Sequence, residues 1–392
     1  MVAKDVPLDT PIREVMTQNP QTLPAKRSMA EAMALMASGG FRHLPVTDAK
    51  GKLEGILSAT DILSAIGSNA IDAGLMIAKA RTADELVAVT SRIPESFASM
   101  VANGVDASHI MRFTSALGEA AHRRAAQLAE AELGEPPCPY ALVVFGSLAR
   151  GEQLIGSDQD NGLVLHDTAT PQDEAYFERL GTYISDLLDR CGYVYCMGVI
   201  MAKNAEQRLR LNDWCHRYTS WIARPTEDRV LRATIFFDMR SVHGDTALVS
   251  MLRRAVLERF KDSPLFISFL ARDALRSKVP LGIFRNLVLE KTDDGARIFN
   301  AKSQAILPIV DIARTKALAS GIGEVGTVAR LAALAETGKM HRDDAKSLMT
   351  ERSFEDAVAA YGSVLDERGA GSRRVAEPPR GHCTVLPPLS ML

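Results

Sequence analysis

Gly146 and Ser147 stand at the end of an apolar run, Val143-Val144-Phe145, and Asp158 and Asp160 follow, flanking Gln159. The first pair suits phosphate, because glycine lacks a Cβ and lets backbone N–H groups come close to an anion. The second suits Mg²⁺, since carboxylates gathered at one point can hold ions that bridge phosphate oxygens. In an extended segment, residues two apart leave the same face. Asp158 and Asp160 can therefore aim at one centre while Gln159 faces the other way. Arg150 lies where its guanidinium could neutralise triphosphate charge. A glycine–serine turn alone, or an Asp-x-Asp alone, is commonplace. Together, in strand–turn–strand order, they are what nucleotidyl transfer from a nucleoside triphosphate needs.

These residues require a sheet beneath them. The pattern predicts a strand at Ala141–Phe145, a second at Asn161–Leu165, a helix over Gln172–Arg190 and a third strand at Tyr193–Met201. Upstream, Leu86, Val89, Ile93, Phe97 and Met100, then Ile110, Phe113, Leu117, Ala120 and Ala121, recur at helical spacing, which reads as two helices ending before Pro136-Pro137. The first segment reads as helix Ser28–Ser38, stopped by Gly39-Gly40, then strands His43–Thr47 and Leu53–Ser58 around the turn Asp48-Ala49-Lys50-Gly51. From Gln207 to Tyr361 the stripes Leu211, Trp214, Tyr218, Trp221, Ile222 and Leu252, Val256, Leu257, Phe260 favour a helical bundle. The expected fold class is α+β and multidomain. It comprises an N-terminal module over 1–68, a helical connector over 69–135, a small mixed-sheet catalytic domain over 136–224, a C-terminal helical domain over 225–366 and a disordered tail over 367–392.

A chain of 392 residues exceeds what one core usually supports, roughly 250–300 residues, so two or three domains are expected. Lys plus Arg number 46 against 48 Asp plus Glu, a net charge of −2, which argues against bulk nucleic acid or an anionic membrane as the main partner. No apolar run approaches the roughly 20 residues that span a bilayer, and the first residues lack a secretory h-region. The five cysteines form no C-x-x-C pair, so they read as reduced cytoplasmic thiols. Cys191 and Cys196 read as small buried residues rather than nucleophiles, His43 as packed, Trp214 and Trp221 as a core stripe, and Arg123-Arg124 as a solvated helix face.

The string Gly146-Ser147…Arg150-Gly151-Glu152-Gln153…Ser157-Asp158-Gln159-Asp160-Asn161 resembles the nucleotidyltransferases related to PII-protein uridylyltransferase, within the DNA polymerase β-type superfamily. Gly192-Tyr193…Cys196-Met197-Gly198-Val199-Ile200-Met201-Ala202-Lys203-Asn204, Phe236-Phe237-Asp238-Met239-Arg240…Gly244-Asp245, Pro280-Leu281-Gly282 and Pro308-Ile309-Val310-Asp311-Ile312-Ala313-Arg314 are similar to further parts of that family. The resemblance implies Mg²⁺-dependent transfer, with a two-ion site held by Asp158 and Asp160. It also implies nucleotide contacts from Gly146, Ser147, Arg150 and Asn161, and an acceptor hydroxyl that could belong to a protein. Many active members carry a third carboxylate on a later strand. Tyr193–Met201 has no acid, and Glu152, Asp228 and Asp238 stand as alternatives.

Val15-Met16-Thr17, Arg42-His43-Leu44-Pro45-Val46 and Gly55-Ile56-Leu57-Ser58-Ala59-Thr60-Asp61 resemble a cystathionine-β-synthase (CBS) domain. That resemblance implies an adenosine nucleotide as effector, with Ser58 or Thr60 by the phosphates and Asp61 at the ribose. Helix capping is the competing role for these residues. Such modules usually come in pairs and only one copy is visible, so either a second chain supplies the other half in a homodimer or an upstream module has been lost. Two readings follow: a nucleotidyltransferase regulated by its CBS module, or a catalytically silent nucleotide-binding adaptor.

Overall fold

A computed structural model of the chain describes residues 10–27, 29–59, 69–102, 105, 107–261, 263–274, 290–291, 297–298 and 306–349. The tail expected over 367–392 and the motif Pro280-Leu281-Gly282 lie outside the described residues.

Among the described residues the N-terminal module is a three-stranded sheet with one helix against it. Strand β1 (Leu23–Pro24) runs parallel to β2 (His43–Thr47), and β2 runs antiparallel to β3 (Leu53–Ser58). Helix α1 (Met29–Gly39) ends where Gly40 takes φ +66°, the left-handed backbone that glycine adopts without a Cβ penalty. The turn between β2 and β3 is held by Asp48, whose Oδ1 accepts the N–H groups of Lys50 and Lys52 at 2.8 Å each. Leu44 is buried, whereas His43 is exposed, contrary to the packed role expected of it, because adjacent strand residues face opposite ways.

Among its described residues the connector holds four helices where the periodicity suggests two. Helix α2 (Asn69–Lys79) is followed by Ala83–Thr90, Ile93–Ala102 and the 27-residue helix α3 (Ala107–Leu133). The hydroxyl of Thr82 accepts the Glu85 N–H at 3.2 Å and starts a new helix. A turn at Ser91-Arg92 and Pro94 in the next first turn make another break. Arg123 and Arg124 are not a solvated face. Arg123 donates through Nε to the Val242 carbonyl at 3.0 Å and through a terminal nitrogen to the Ser38 carbonyl at the end of α1. Arg124 Nε donates to the Ala80 carbonyl at 2.6 Å. Long side chains with a planar donor fork reach orphaned carbonyls at helix and strand ends, which a helical wheel cannot reveal.

The central sheet has strand order β6-β5-β4-β7. Strand β4 (Tyr140–Phe145) leads into the short helix α4 (Gly146–Arg150), and strand β5 (Asn161–Leu165) returns antiparallel to β4. Helix α5 (Glu174–Arg190) then packs over one face. Strand β6 (Arg208–Arg210) joins β5 in parallel and leads into helix α6 (Leu211–Ala223). Strand β7 (Met239–Gly244) pairs antiparallel with the other side of β4 and is followed by helix α7 (Thr246–Lys261). Every residue of β4 and β5 is buried, because both faces are covered. Leu142, Val144 and Leu163 pack in the core formed with α3 and α5, while Ala141, Val143, Phe145 and Val164 pack in the core formed with α6 and α7. The alternation of one strand thus feeds two cores.

Two expectations need correction. Tyr193–Met201 is not a third strand: among the described residues it makes a single parallel bridge, Gln159 to Tyr195. The edge of β5 is taken by β6, and Val199 sits at φ +62°, an uncommon backbone for a β-branched residue that bends the segment away from extended geometry. The catalytic sheet also takes its last strand from 239–244, beyond the expected boundary at 224, because three strands alone leave one edge of β4 unpaired. Helices α8 (Leu307–Ala319) and α9 (Thr327–Glu336) complete the C-terminal part used below. Among the described residues no helix is long and apolar enough to cross a membrane.

Candidate active site

The turn after β4 is built around Gly146. Its φ is +59°, and a Cβ placed there would lie 3.1 Å from Ile235 Cγ1 and 3.4 Å from Asp160 Oδ2. The Gly146 N–H donates to the Asp238 carbonyl at 3.1 Å, and the Phe145 N–H donates to the Asp160 carbonyl at 2.8 Å. Neighbouring strands therefore pin both the turn and the second acid. Ser147 follows, half-buried, with its carbonyl accepting the Glu152 N–H at 2.9 Å.

The alternation expected of Asp158-Gln159-Asp160 is present. Gln159 is fully buried on the α5 side, where its Nε2 donates to the carbonyls of Ser185 at 2.9 Å and Tyr193 at 3.1 Å. Asp158 and Asp160 leave the opposite side, half-buried, and each brings a carboxylate oxygen to a cluster completed by Cys196 Sγ, with all three atoms within 4.8 Å of one another. Cys196 is 6% exposed. Burial raises its thiol pKa first, and the Asp160 charge, a hydrogen bond with Asp160 and the Asp158 charge raise it further. Two oxygen donors and a sulfur donor, half-screened from water beside a turn with no Cβ, make a donor set that fits a divalent cation.

Asn161, expected at the nucleotide, is instead structural. It is fully buried, donates through Nδ2 to Gln159 Oε1 at 3.2 Å and accepts the Ala202 N–H on Oδ1 at 2.8 Å. One residue past Asp160, it falls on the Gln159 face of the strand and ties down the segment that carries Cys196.

Arg150 is also committed elsewhere. Its Nε donates to Glu152 at 2.8 Å and a terminal nitrogen donates to Asp238 at 2.7 Å, with the side chain 8% exposed. Asp238, fully buried, also receives Arg314 at 2.7 Å and Arg330 at 2.6 Å. Burial alone would raise the Asp238 carboxyl, but the three guanidiniums hold it far below the usual carboxylate range. Glu152 further accepts the Thr327 N–H at the start of α9. Arg150 is drawn into this network because a buried carboxylate needs paired cations.

The open question of a third acid resolves differently from each alternative. Glu152 and Asp238 belong to the arginine network, and Asp228 pairs with Arg232 at 3.1 Å with its side chain 45% exposed. Among the described residues the third group beside Asp158 and Asp160 is Cys196, which the sequence reading placed in a core. The signal available was that its segment, though apolar, runs Cys-Met-Gly rather than as an uninterrupted strand. The centre of the arginine network has no local signal, since Asp238 lies 76 positions from Arg314 and 88 from Arg150.

In the CBS module Ser58 closes β3, half-buried, and Thr60 and Asp61 lie outside the described residues.

Comparison with known families gives three matches along the chain. Residues 91–228 match the family described as "Putative nucleotidyltransferase DUF294", residues 264–355 the "Putative nucleotidyltransferase substrate binding domain", and residues 12–68 the CBS domain. A 59-residue stretch is 34% identical to the "uncharacterized 17.7 kDa protein in bps2 3′region" of Acidianus ambivalens, covering 15% of this chain and 36% of that protein. A 55-residue stretch is 46% identical to the "uncharacterized protein YtoI" of Bacillus subtilis (strain 168), covering 14% of this chain and 12% of that protein. The matches therefore span well under two thirds of these curated relatives. With a CBS domain, the nucleotidyltransferase domain that bears the two aspartates and its substrate-binding partner matched in one chain, this protein has the domain set of a CBS-containing nucleotidyltransferase.

Proposed function

We propose that the chain moves a nucleoside monophosphate from a nucleoside triphosphate to an acceptor hydroxyl. The observation that carries this reading is the convergence of Asp158 and Asp160 beside the Gly146 turn. Asp158 and Asp160 would hold Mg²⁺, which supplies charge neutralisation at the triphosphate and at the departing pyrophosphate. The chain's own part is positional. Gly146 takes the left-handed backbone of the turn, where an added Cβ would press on Ile235 at 3.1 Å. Gln159 and Asn161 lock the strand so that the two carboxylates keep one direction. The substrate-binding helices are anchored to the same turn through Glu152, Arg150 and Asp238.

In this reading the acceptor is a protein side chain, as in PII uridylylation, and an adenosine nucleotide at Ser58, Thr60 and Asp61 sets the activity from the CBS module. A second copy of the chain supplies the other half of the CBS pair, and the protein works in the cytoplasm. These assignments rest on family resemblance, with fold-level analogy as their warrant. The second reading, a silent nucleotide-binding adaptor, is favoured by two observations: Arg150 is tied to Glu152 and Asp238, and the third cluster member is a thiol rather than an acid.

The test incubates purified protein with Mg²⁺, each labelled nucleoside triphosphate and cell lysate. Label appearing on an acceptor, and vanishing in Asp158→Asn and Asp160→Asn, supports the transferase. Nucleotide binding without transfer under all four nucleotides supports the adaptor.

A further inference from the structure

We infer that Cys196 is a metal ligand, so that the Asp158–Asp160 site holds a thiophilic divalent cation such as Co²⁺ or Zn²⁺ more tightly than Mg²⁺. The inference rests on the proposal that this site holds a divalent cation at all. Three facts carry it. Cys196 Sγ lies with one carboxylate oxygen of each aspartate in a group whose members are all within 4.8 Å of one another. Two ligands on one ion, each about 2.0–2.3 Å from it, lie up to roughly 4.5 Å apart, so closing onto an ion takes movements of a few tenths of an ångström. Cys196 is 6% exposed, so its sulfur is held in place rather than swinging in solvent.

The backbone around Cys196 is shaped to keep it there. The Val199 N–H donates to the Cys196 carbonyl at 3.0 Å in a turn that leaves Val199 at φ +62°. The Asn161 N–H donates to the Ile200 carbonyl at 3.1 Å, and the Gln159 N–H to the Val194 carbonyl at 2.9 Å. The acid strand thus grips the cysteine segment on both sides of Cys196. A β-branched residue held in a left-handed conformation costs free energy and marks a geometry that its surroundings impose. A sulfur ligand changes the metal preference, since Mg²⁺ takes oxygen donors almost exclusively while thiolate favours the softer first-row ions. On binding, the S–H bond breaks, the sulfur–metal bond forms and the proton passes to buffer.

The experiment titrates Co²⁺ into the full chain and follows the near-ultraviolet thiolate-to-cobalt charge-transfer band beside the visible ligand-field bands, with calorimetry for Co²⁺ and Mg²⁺. The expected result is a charge-transfer band that disappears in Cys196→Ser, with Co²⁺ affinity falling roughly 10–100-fold or more, a range reached even when only a supporting contact to a ligand is removed. Cys196→Asp is expected to shift preference toward Mg²⁺. The four other cysteines remain in these variants, so a band that keeps its full intensity in Cys196→Ser comes from them and overturns the inference. ¹¹³Cd NMR on the unmutated protein reads sulfur ligation by its downfield shift, and an all-oxygen shift overturns it without relying on any variant's folding. Ion binding that depends on Asp158 and Asp160 but shows no sulfur signature refutes Cys196 alone. Absence of any aspartate-dependent binding refutes the proposed function as well.

Discussion

Glu152 accepts the Thr327 N–H at 2.8 Å, so a carboxylate just after the glycine–serine turn caps a helix 175 positions later in the chain. The same carboxylate holds Arg150, and Arg150 passes to Asp238, whose other partners, Arg314 and Arg330, come from α8 and α9. The backbone carbonyl of Asp238 meanwhile holds the Gly146 N–H. One buried carboxylate thus joins the turn of the candidate active site to both helices of the C-terminal region.

Removing that charge should be costly. Asp238→Asn leaves three buried guanidiniums facing a neutral amide, and breaking a buried ion pair costs on the order of 3–5 kcal/mol. Urea unfolding of the purified variant should show a midpoint well below that of the parent. Glu152→Gln should cost less, since its side chain is 12% exposed, and should speed amide hydrogen exchange at Thr327 specifically. An Asp238→Asn variant as stable as the parent would show that the network contributes no net stability.

The acids at the site should behave in the opposite way. Asp158 and Asp160 bring like charges close together, so removing one charge relieves repulsion in the metal-free chain. Asp158→Asn is therefore expected to keep or raise the melting temperature measured without divalent ions, while label transfer falls by roughly 10²-fold or more, the scale of losing a preorganised electrostatic group. Loss of activity together with a lower melting temperature would instead place Asp158 among structural residues.

Acid sensitivity should begin at a histidine. His122 is fully buried on α3, its Nδ1 bonds the Gly118 carbonyl at 2.7 Å, and its Nε2 has no hydrogen-bond partner while the ring meets Tyr193 edge-on at 5.5 Å. Burial pushes its pKa from 6.5 down to about 4, against the smaller raising effect of the Gly118 bond. A depressed histidine favours the neutral form in the fold, so the unfolded chain takes up the proton first as pH falls. Stability present above about pH 6.5 should be lost by about 1.4 kcal/mol per pH unit down to about pH 4, near 3 kcal/mol in all. Asp238, held low by its arginines, adds its own loss only below the ordinary carboxylate range. His122→Gln should flatten the slope between pH 6.5 and 4, whatever its effect at neutral pH; an unchanged slope would refute the assignment.

The residues explain why the site was more legible than its support. The strand–turn–strand order and the opposed directions of Asp158 and Gln159 follow from two-residue alternation, which is local. The strands around Val144 and Leu163 could be read for the same reason. The contacts that Asn161 and Arg150 make within the fold depend on distant partners. The Ala202 N–H donates to the Asn161 side-chain oxygen, and Asp238, 88 positions from Arg150, accepts from the guanidinium. Cys196 looked apolar because a thiol's role is set by its neighbours, and β7 was hidden in a helical stretch because six residues carry little periodicity against the helices that flank it.

Gly146 offers the sharpest separation of backbone from contact. Alanine at φ +59° pays the left-handed penalty, about 1–2 kcal/mol, wherever its Cβ points. The Cβ also meets Ile235 at 3.1 Å and Asp160 Oδ2 at 3.4 Å. Ile235 can yield by changing rotamer, and 3.4 Å to Asp160 is ordinary van der Waals contact. Gly146→Ala should therefore lower stability by that backbone cost and by whatever strain Ile235 does not relieve, while divalent-ion binding stays close to that of the parent. Adding Ile235→Ala should relieve the apolar contact and leave the backbone cost. If the double variant binds divalent ions much more weakly than Ile235→Ala alone, the glycine backbone itself, and not the contact with Ile235, sets the aim of Asp160.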